Sequence, residues 1–108
     1  MPMNLDQKLI EEIVGRILAV TPAERIIMFG SAAIGTMTRD SDIDLLVLKS
    51  APDNTRRESV QVRRALSGLG YPFDIIVMAT ERFDESKGVI GGIAFPANKY
   101  GKVIYEAA

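Results

Sequence analysis

The spacing of apolar residues predicts a helix near the start of the chain. Apolar side chains recur at helical intervals from Leu9 to Leu18, which places them on one face. Asn4 and Gln7 resemble a capping box at the start of this helix, and Thr21-Pro22 marks its end. We therefore expect an amphipathic helix whose apolar face packs on the core, with partner binding as the alternative use of that face.

A second amphipathic helix is predicted in the middle of the chain. It follows a turn at Pro52-Asp53 and begins with a capping box formed by Thr55 and Glu58. It should end near Gly68 or Gly70, because glycine commonly follows the last turn of a helix. Its inward-facing residues are expected to be Val62, Leu66 and Leu69.

Three apolar runs predict buried strands. They extend from Ile26 to Phe29, from Ile43 to Lys49 and from Phe73 to Met78. Strands that alternate with helices indicate an α/β (α+β) fold, with a small mixed sheet flanked by helices. We expect a single domain over residues 1–108, since this length leaves no room for two.

The periodic spacing of apolar residues becomes less regular after Thr80. Three glycines within residues 88–92 disfavour a helix there, and Pro96 predicts a break. The tail from Tyr100 to Glu106 is typical of a turn followed by a short edge strand.

Composition limits the chemistry that is open to the protein. The chain is 47% hydrophobic and 25% charged, with a net charge of −1, so it has no general attraction to nucleic acid. It contains no cysteine and no histidine, so acid–base or metal chemistry must rest on carboxylates. We find no signal peptide and no apolar run of membrane-spanning length, and we expect a cytoplasmic protein with no membrane partner.

A tight turn at Gly30-Ser31 follows the first predicted strand. Glycine adopts backbone angles that other residues resist, and it lets a ligand approach the main chain closely. Ala32-Ala33 can then start a short helix whose free N–H groups point over Ser31. Such an arrangement favours the binding of phosphate.

Two carboxylates stand at the start of the second predicted strand. Asp42 and Asp44 are two residues apart, so a strand projects them from the same face. Close, partly buried like charges are unfavourable, and a divalent cation such as Mg²⁺ would offset both penalties. Asp74 holds the equivalent place in the third strand, and it can reach the same sheet edge if the two strands are neighbours.

These motifs together resemble a known family. The run from Gly30 to Gly35, followed by the acidic strand from Ser41 to Val47, is similar to the signature of the DNA polymerase beta-like nucleotidyltransferases. It looks most like the minimal nucleotidyltransferases, the small one-domain members, and the tail from Tyr100 also resembles their ending. The resemblance covers nearly the whole chain.

The resemblance implies a metal-dependent enzyme. Asp42, Asp44 and Asp74 would bind two Mg²⁺ ions, and Asp74 would also receive the proton of the acceptor, since the chain has no histidine. Gly30 and Ser31 would hold the β- and γ-phosphates of a nucleoside triphosphate. Transfer of AMP from ATP to a helical HEPN-type toxin would make the protein an antitoxin. Specificity would then depend on this partner or on self-association.

One position departs from the family pattern. Ile34 stands where many minimal members carry arginine, which removes a contact to phosphate or to a partner. Arg39 lies nearby in the sequence and could replace it. The departure keeps an alternative open, in which the protein is a catalytically weak or inactive antitoxin that neutralises its partner by binding alone.

Four arginines on the second predicted helix support a third hypothesis. They lie outside its predicted apolar face, and they suit either a solvated surface or a docking surface for an acidic partner or RNA. The net charge and the lack of a stacking aromatic surface argue against RNA, so we do not expect nucleic acid as a partner. The four residues are Arg56, Arg57, Arg63 and Arg64.

Overall fold

A four-stranded sheet forms the centre of the computed structural model, which describes residues 5–38 and 40–108. The strands are β1 (Arg25–Phe29), β2 (Ile43–Lys49), β3 (Phe73–Ala79) and β4 (Lys102–Glu106). The helices are α1 (Gln7–Val20), α2 (Ser31–Ile34), α3 (Thr55–Ala65), α4 (Thr80–Ser86) and α5 (Ala94–Tyr100).

The sheet is mixed, as the sequence predicted. Its order is β3-β2-β1-β4, with β1 antiparallel to both β2 and β4, and β2 parallel to β3. The tail forms the expected edge strand, β4. The antiparallel pairing matters for the site, because it brings the end of β1 beside the start of β2.

The two faces of the sheet are covered differently. One face packs against α1 and α3, whose buried side chains include Ile13, Ile17 and Val62. The other face packs against α4 and α5 through Phe83, Ala94 and Ala97. No helix among the described residues is long and apolar enough to cross a membrane.

The first helix starts and ends close to the predicted positions. Asp6 is its N-cap, and the Asp6 carboxylate accepts a hydrogen bond of 2.8 Å from the Leu9 N–H. Gln7 is therefore the first helical residue rather than the second half of a capping box, and Asn4 lies outside the described residues. The Thr21 N–H donates to the Ile17 carbonyl and closes the last turn, as expected.

The capping of α3 is shifted by one residue from the prediction. Asn54, not Thr55, is the N-cap: its side chain accepts from the Arg57 N–H, while the Glu58 carboxylate accepts from the Asn54 N–H at 3.1 Å. The helix ends at Ala65, earlier than the predicted glycines, which lie in the following turn. The predicted inward residues are Val62 and Leu66, which are fully buried, and Leu69, which is partly buried.

A partly buried ion pair joins α3 to the sheet. The Lys49 ammonium group donates to the Glu58 carboxylate, and it also donates to the Thr21 hydroxyl at 2.9 Å. The two charged side chains are only 14% and 12% exposed. The Lys49 hydrogen bond is the main reason that the pKa of Glu58 is lowered, so this pair stabilises the ionised carboxylate in the folded state.

Two helices in the last third of the chain were not predicted. The glycines within residues 88–92 do lie in turns, but these turns separate α4 from α5. Pro96 does not break the chain, which corrects the prediction. It lies in the first turn of α5, where a backbone N–H has no partner within the helix and its loss costs little.

Candidate active site

The backbone at Gly30 is one that only glycine adopts readily. Gly30 follows β1 with φ 69° and ψ −153°, a combination that a side chain makes strongly unfavourable. A Cβ atom placed on Gly30 would also overlap Oδ2 of Asp44. The missing side chain therefore lets the main chain of the turn lie directly against the carboxylate of the neighbouring strand.

Ser31 opens a very short helix beside this turn. The four-residue α2 is anchored by Ala32, which is buried against the α1 and α3 side of the sheet, while Ser31 itself is partly exposed. Gly35 closes the helix in a left-handed conformation, and its N–H donates to the Ser31 carbonyl. The turn thus presents main-chain groups and a hydroxyl at the mouth of the site.

The sheet register brings the three predicted acids to one edge. Asp44 pairs with Phe29 of β1 on one side and with Asp74 of β3 on the other. Asp42 lies two residues before Asp44, immediately ahead of β2, so it projects towards the same face. The structure therefore gathers the turn and all three acids at the end of the sheet face that α4 and α5 leave open.

The electrostatics of Asp44 reflect these neighbours. Burial raises the pKa of the Asp44 carboxyl group above its usual value, and the negative charges of Asp74 and Asp42 raise it further. Asp42 and Asp74 are both exposed, whereas Asp44 is partly buried between them. A cation bound at this edge would stabilise the ionised form of all three side chains.

The donor set fits a hard divalent cation that is shared with a substrate. Within residues 5–38 and 40–108, no group of three acidic side chains is arranged so that it could hold a metal ion by itself. Mg²⁺ is usually bound by one or two carboxylates together with substrate phosphates and water, so it does not need such a cage. Asp42 and Asp44, with phosphate held at Gly30, would supply that combination.

Ile34 lines an apolar pocket that the sequence did not predict. Its side chain is 60% exposed and faces a cavity of about 470 Å³ beside the turn. The arginine that the family pattern places here is thus replaced by part of an apolar surface. Arg39, its suggested substitute, lies outside the described residues. The lining residues are Phe29, Gly30, Ile34, Ile93, Pro96 and Tyr100.

Comparison with solved structures shows which folds are similar. A toxin–antitoxin complex with AMP-PNP matches with a TM-score of 0.69 and 20% identity, covering 91% of this chain and 73% of that one. A tri-AMPylated HEPN toxin from Shewanella oneidensis in complex with MNT antitoxin matches with a TM-score of 0.64 and 18% identity, covering 95% of this chain and 74% of that one. An inferred nucleotidyltransferase from Sulfolobus solfataricus matches with a TM-score of 0.63 and 25% identity, covering 92% of this chain and 78% of that one.

The sequence itself shows the family. No curated protein matches it in a direct comparison. The nucleotidyltransferase domain family, in contrast, matches residues 8–95, from the second residue of α1 to the second residue of α5. This span includes the Gly30-Ser31 turn, the acidic start of β2 and Asp74. The chain therefore belongs to the nucleotidyltransferase domain family, as the turn and the acidic strand together predicted.

Proposed function

We propose that the protein is an Mg²⁺-dependent nucleotidyltransferase that transfers AMP from ATP to a hydroxyl group of a HEPN-type partner protein. The observation that carries this proposal is the contact between the turn and the acid: Gly30 lies directly against the Asp44 carboxylate, with Asp74 in register beside it. A phosphate held by the turn would lie next to the carboxylates, which is where the charge of a transferring nucleotide must be balanced.

Each residue has a distinct role in this proposal. The main chain of Gly30 and the hydroxyl of Ser31 hold the β- and γ-phosphates, while Asp42 and Asp44, with Asp74 on the acceptor side, hold the metal ions. Two divalent ions, when bound, neutralise charge on the attacking and leaving oxygens. Asp74 lies on the outer strand and receives the acceptor proton. The bond from the acceptor oxygen to the α-phosphorus forms as the bond to the β-phosphate oxygen breaks, and pyrophosphate leaves.

The choice of a protein acceptor is supported by two lines of observation. The matching solved structures include a toxin–antitoxin complex with AMP-PNP and a tri-AMPylated HEPN toxin with its MNT antitoxin. In the present chain, Asp42 and Asp74 are exposed at an open end of the sheet, so a macromolecule can approach them directly. A folded partner that covers this end would exclude water and orient its own hydroxyl group.

A second function is favoured by the surface around Ile34. An exposed apolar pocket next to the turn suits a protein contact better than a phosphate contact. A protein that uses this surface would neutralise its partner by binding alone, without transfer.

Mass measurement separates the two functions. The chain and a HEPN-type partner are incubated with ATP and Mg²⁺, and the intact mass of each protein is measured. We expect the partner to gain one or more adenylyl groups, and we expect the gain to vanish with a metal chelator or in the Asp42→Asn variant. If a stable complex forms but neither protein gains mass, catalysis is excluded for that pair and the binding function replaces it.

A further inference from the structure

Three of the four arginines on α3 surround a groove that reaches the active site. Arg56, Arg63 and Arg64 are exposed, and within the described residues none of them forms an ion pair. Arg57 differs, because its guanidinium group is 2.8 Å from the carboxylate of Asp53 and it does not line the groove. The uncompensated positive charge of α3 is therefore concentrated on the side that faces β3.

The groove consists of two adjoining cavities that share Arg63. The smaller cavity, of about 140 Å³, lies between α3 and the outer edge of β3 and is lined by Arg56, Arg63 and Asp74 among others. The larger, of about 500 Å³, continues past Arg64 to the loop at Tyr71, immediately before β3. Because β3 is an edge strand, no further strand among the described residues covers this side of the sheet.

We propose that this surface, which we call the acceptor groove (Arg56, Arg63, Arg64 and Asp74), binds an acidic segment of the acceptor protein. The inference rests on the proposed function and specifies its substrate. Three arginines and one aspartate line the two cavities, so the surface has an excess of positive charge that is complementary to a chain of carboxylates. A segment held there brings a neighbouring hydroxyl group to Asp74, the residue that receives the acceptor proton.

The chemistry of the groove favours an acidic polypeptide over a nucleic acid. Proteins that bind single strands combine a positive groove with exposed aromatic rings for stacking. The two aromatic residues that line the groove do not offer exposed rings: Tyr71 is partly buried and packs against the core, and Phe73 is buried in it. The chain as a whole carries a net charge of −1, which gives little long-range attraction for a polyanion such as RNA.

The test uses a fluorescent peptide that is rich in glutamate and contains one tyrosine, with fluorescence anisotropy as the measurement. Replacing both Arg56 and Arg63 by alanine should weaken its binding by about 3- to 30-fold, the range for two partly exposed ion pairs. The control is Arg57→Ala, which removes one positive charge from the same helix outside the groove and should leave the affinity unchanged, whereas Arg63→Ala alone, which removes one positive charge from the groove, should weaken binding. A peptide with glutamine in place of glutamate should bind weakly to every variant.

Three outcomes would overturn the inference. The first is an equal loss in the Arg57→Ala control, because net charge rather than the groove would then explain binding. The second is tighter binding of a single-stranded RNA of equal charge, lost in the Arg56/Arg63 variant. The third is a dimer of the parent chain that this variant converts to monomer, which would identify a second copy as the occupant.

A parallel measurement separates this inference from the proposed function. ATP with Mg²⁺ should raise the melting temperature of the parent and of the Arg56/Arg63 variant equally, because neither arginine contacts the phosphate turn. If ATP binds neither the parent nor the Arg56/Arg63 variant, but the peptide still binds only the parent, the proposed transferase function fails. The groove is then confirmed as a binding surface. If transfer to the partner occurs with an unchanged KM for that partner in the variant, the groove assignment fails and the transferase stands.

Discussion

Replacing Gly30 by alanine should damage both stability and nucleotide binding, for two separable reasons. The φ of 69° and ψ of −153° would place alanine in a strained region that costs about 1–3 kcal/mol. In a domain of about this size, each kcal/mol lowers the melting temperature by roughly 4–8 °C, so strain alone predicts a fall of about 4–24 °C. The new Cβ must also displace the Asp44 carboxylate, which adds to the loss.

Gly68 offers a matched control for the strain alone. It also has a positive φ, of 90°, but a Cβ there would meet no described atom within 4 Å. Thermal unfolding of Gly68→Ala should therefore show a smaller fall than Gly30→Ala. Its stabilisation by ATP and Mg²⁺ should match that of the parent, whereas Gly30→Ala should lose this stabilisation.

A double-mutant cycle isolates the contact with Asp44. Asp44→Ala removes the colliding carboxylate, so adding Gly30→Ala to it should cost only the backbone strain. The two substitutions should then be less than additive in the free energy of unfolding. Full additivity, or a Gly30→Ala variant that binds ATP like the parent while folded, would refute the close approach of the turn to the acid.

Three further predictions concern charged side chains. Since the pKa of Asp44 is raised in the folded protein, the stability of the parent relative to Asp44→Asn should fall as pH rises from the ordinary aspartate pKa through the raised one, and urea unfolding of both proteins over that range measures the difference. Asp42→Asn and Asp74→Asn should each lower adenylyl transfer by about 100-fold or more while melting at or above the parent temperature; unfolding with retained specific activity would make these acids structural. Lys49→Met should cost about 1–2 kcal/mol in urea unfolding at neutral pH, because it removes the ammonium group that pairs with the partly buried Glu58 carboxylate; the deficit should shrink at acidic pH, where Glu58 protonates, and a deficit independent of pH would contradict the ion pair.

The core strands and the positions of the acids could be predicted because each is indicated by the pattern of apolar and acidic residues within one short segment of the sequence. The run from Ile43 to Lys49 is apolar throughout its centre, and β2 has those same bounds. Asp74 was expected to reach the same sheet edge if the second and third strands are neighbours, and in the structure these strands are parallel neighbours with Asp74 paired to Asp44. Their roles in binding metal and in catalysis stay predictions.

The two helices that were not predicted, α4 and α5, contain few large apolar residues at helical spacing. The seven residues of α4 bury one large side chain, Phe83, and α5 is fully buried only at Ala94 and Ala97. Alanine contributes little to a hydrophobic pattern, so α5 could not be distinguished from a loop with a proline. The pocket around Ile34 is lined in part by residues of α5, so it could not be predicted from a sequence in which α5 itself was not recognised.

The position of the site within the sheet has a consequence for how the protein loses activity. Gly30 follows β1 and Asp44 lies in β2, and these are the two inner strands. Amides of inner strands exchange with solvent mainly through global unfolding, whereas turn segments such as residues 87–93 open locally. Heating should therefore open the connection between α4 and α5 first, while Gly30 and Asp44 keep their geometry. Nucleotide binding should persist up to the global transition and disappear with it.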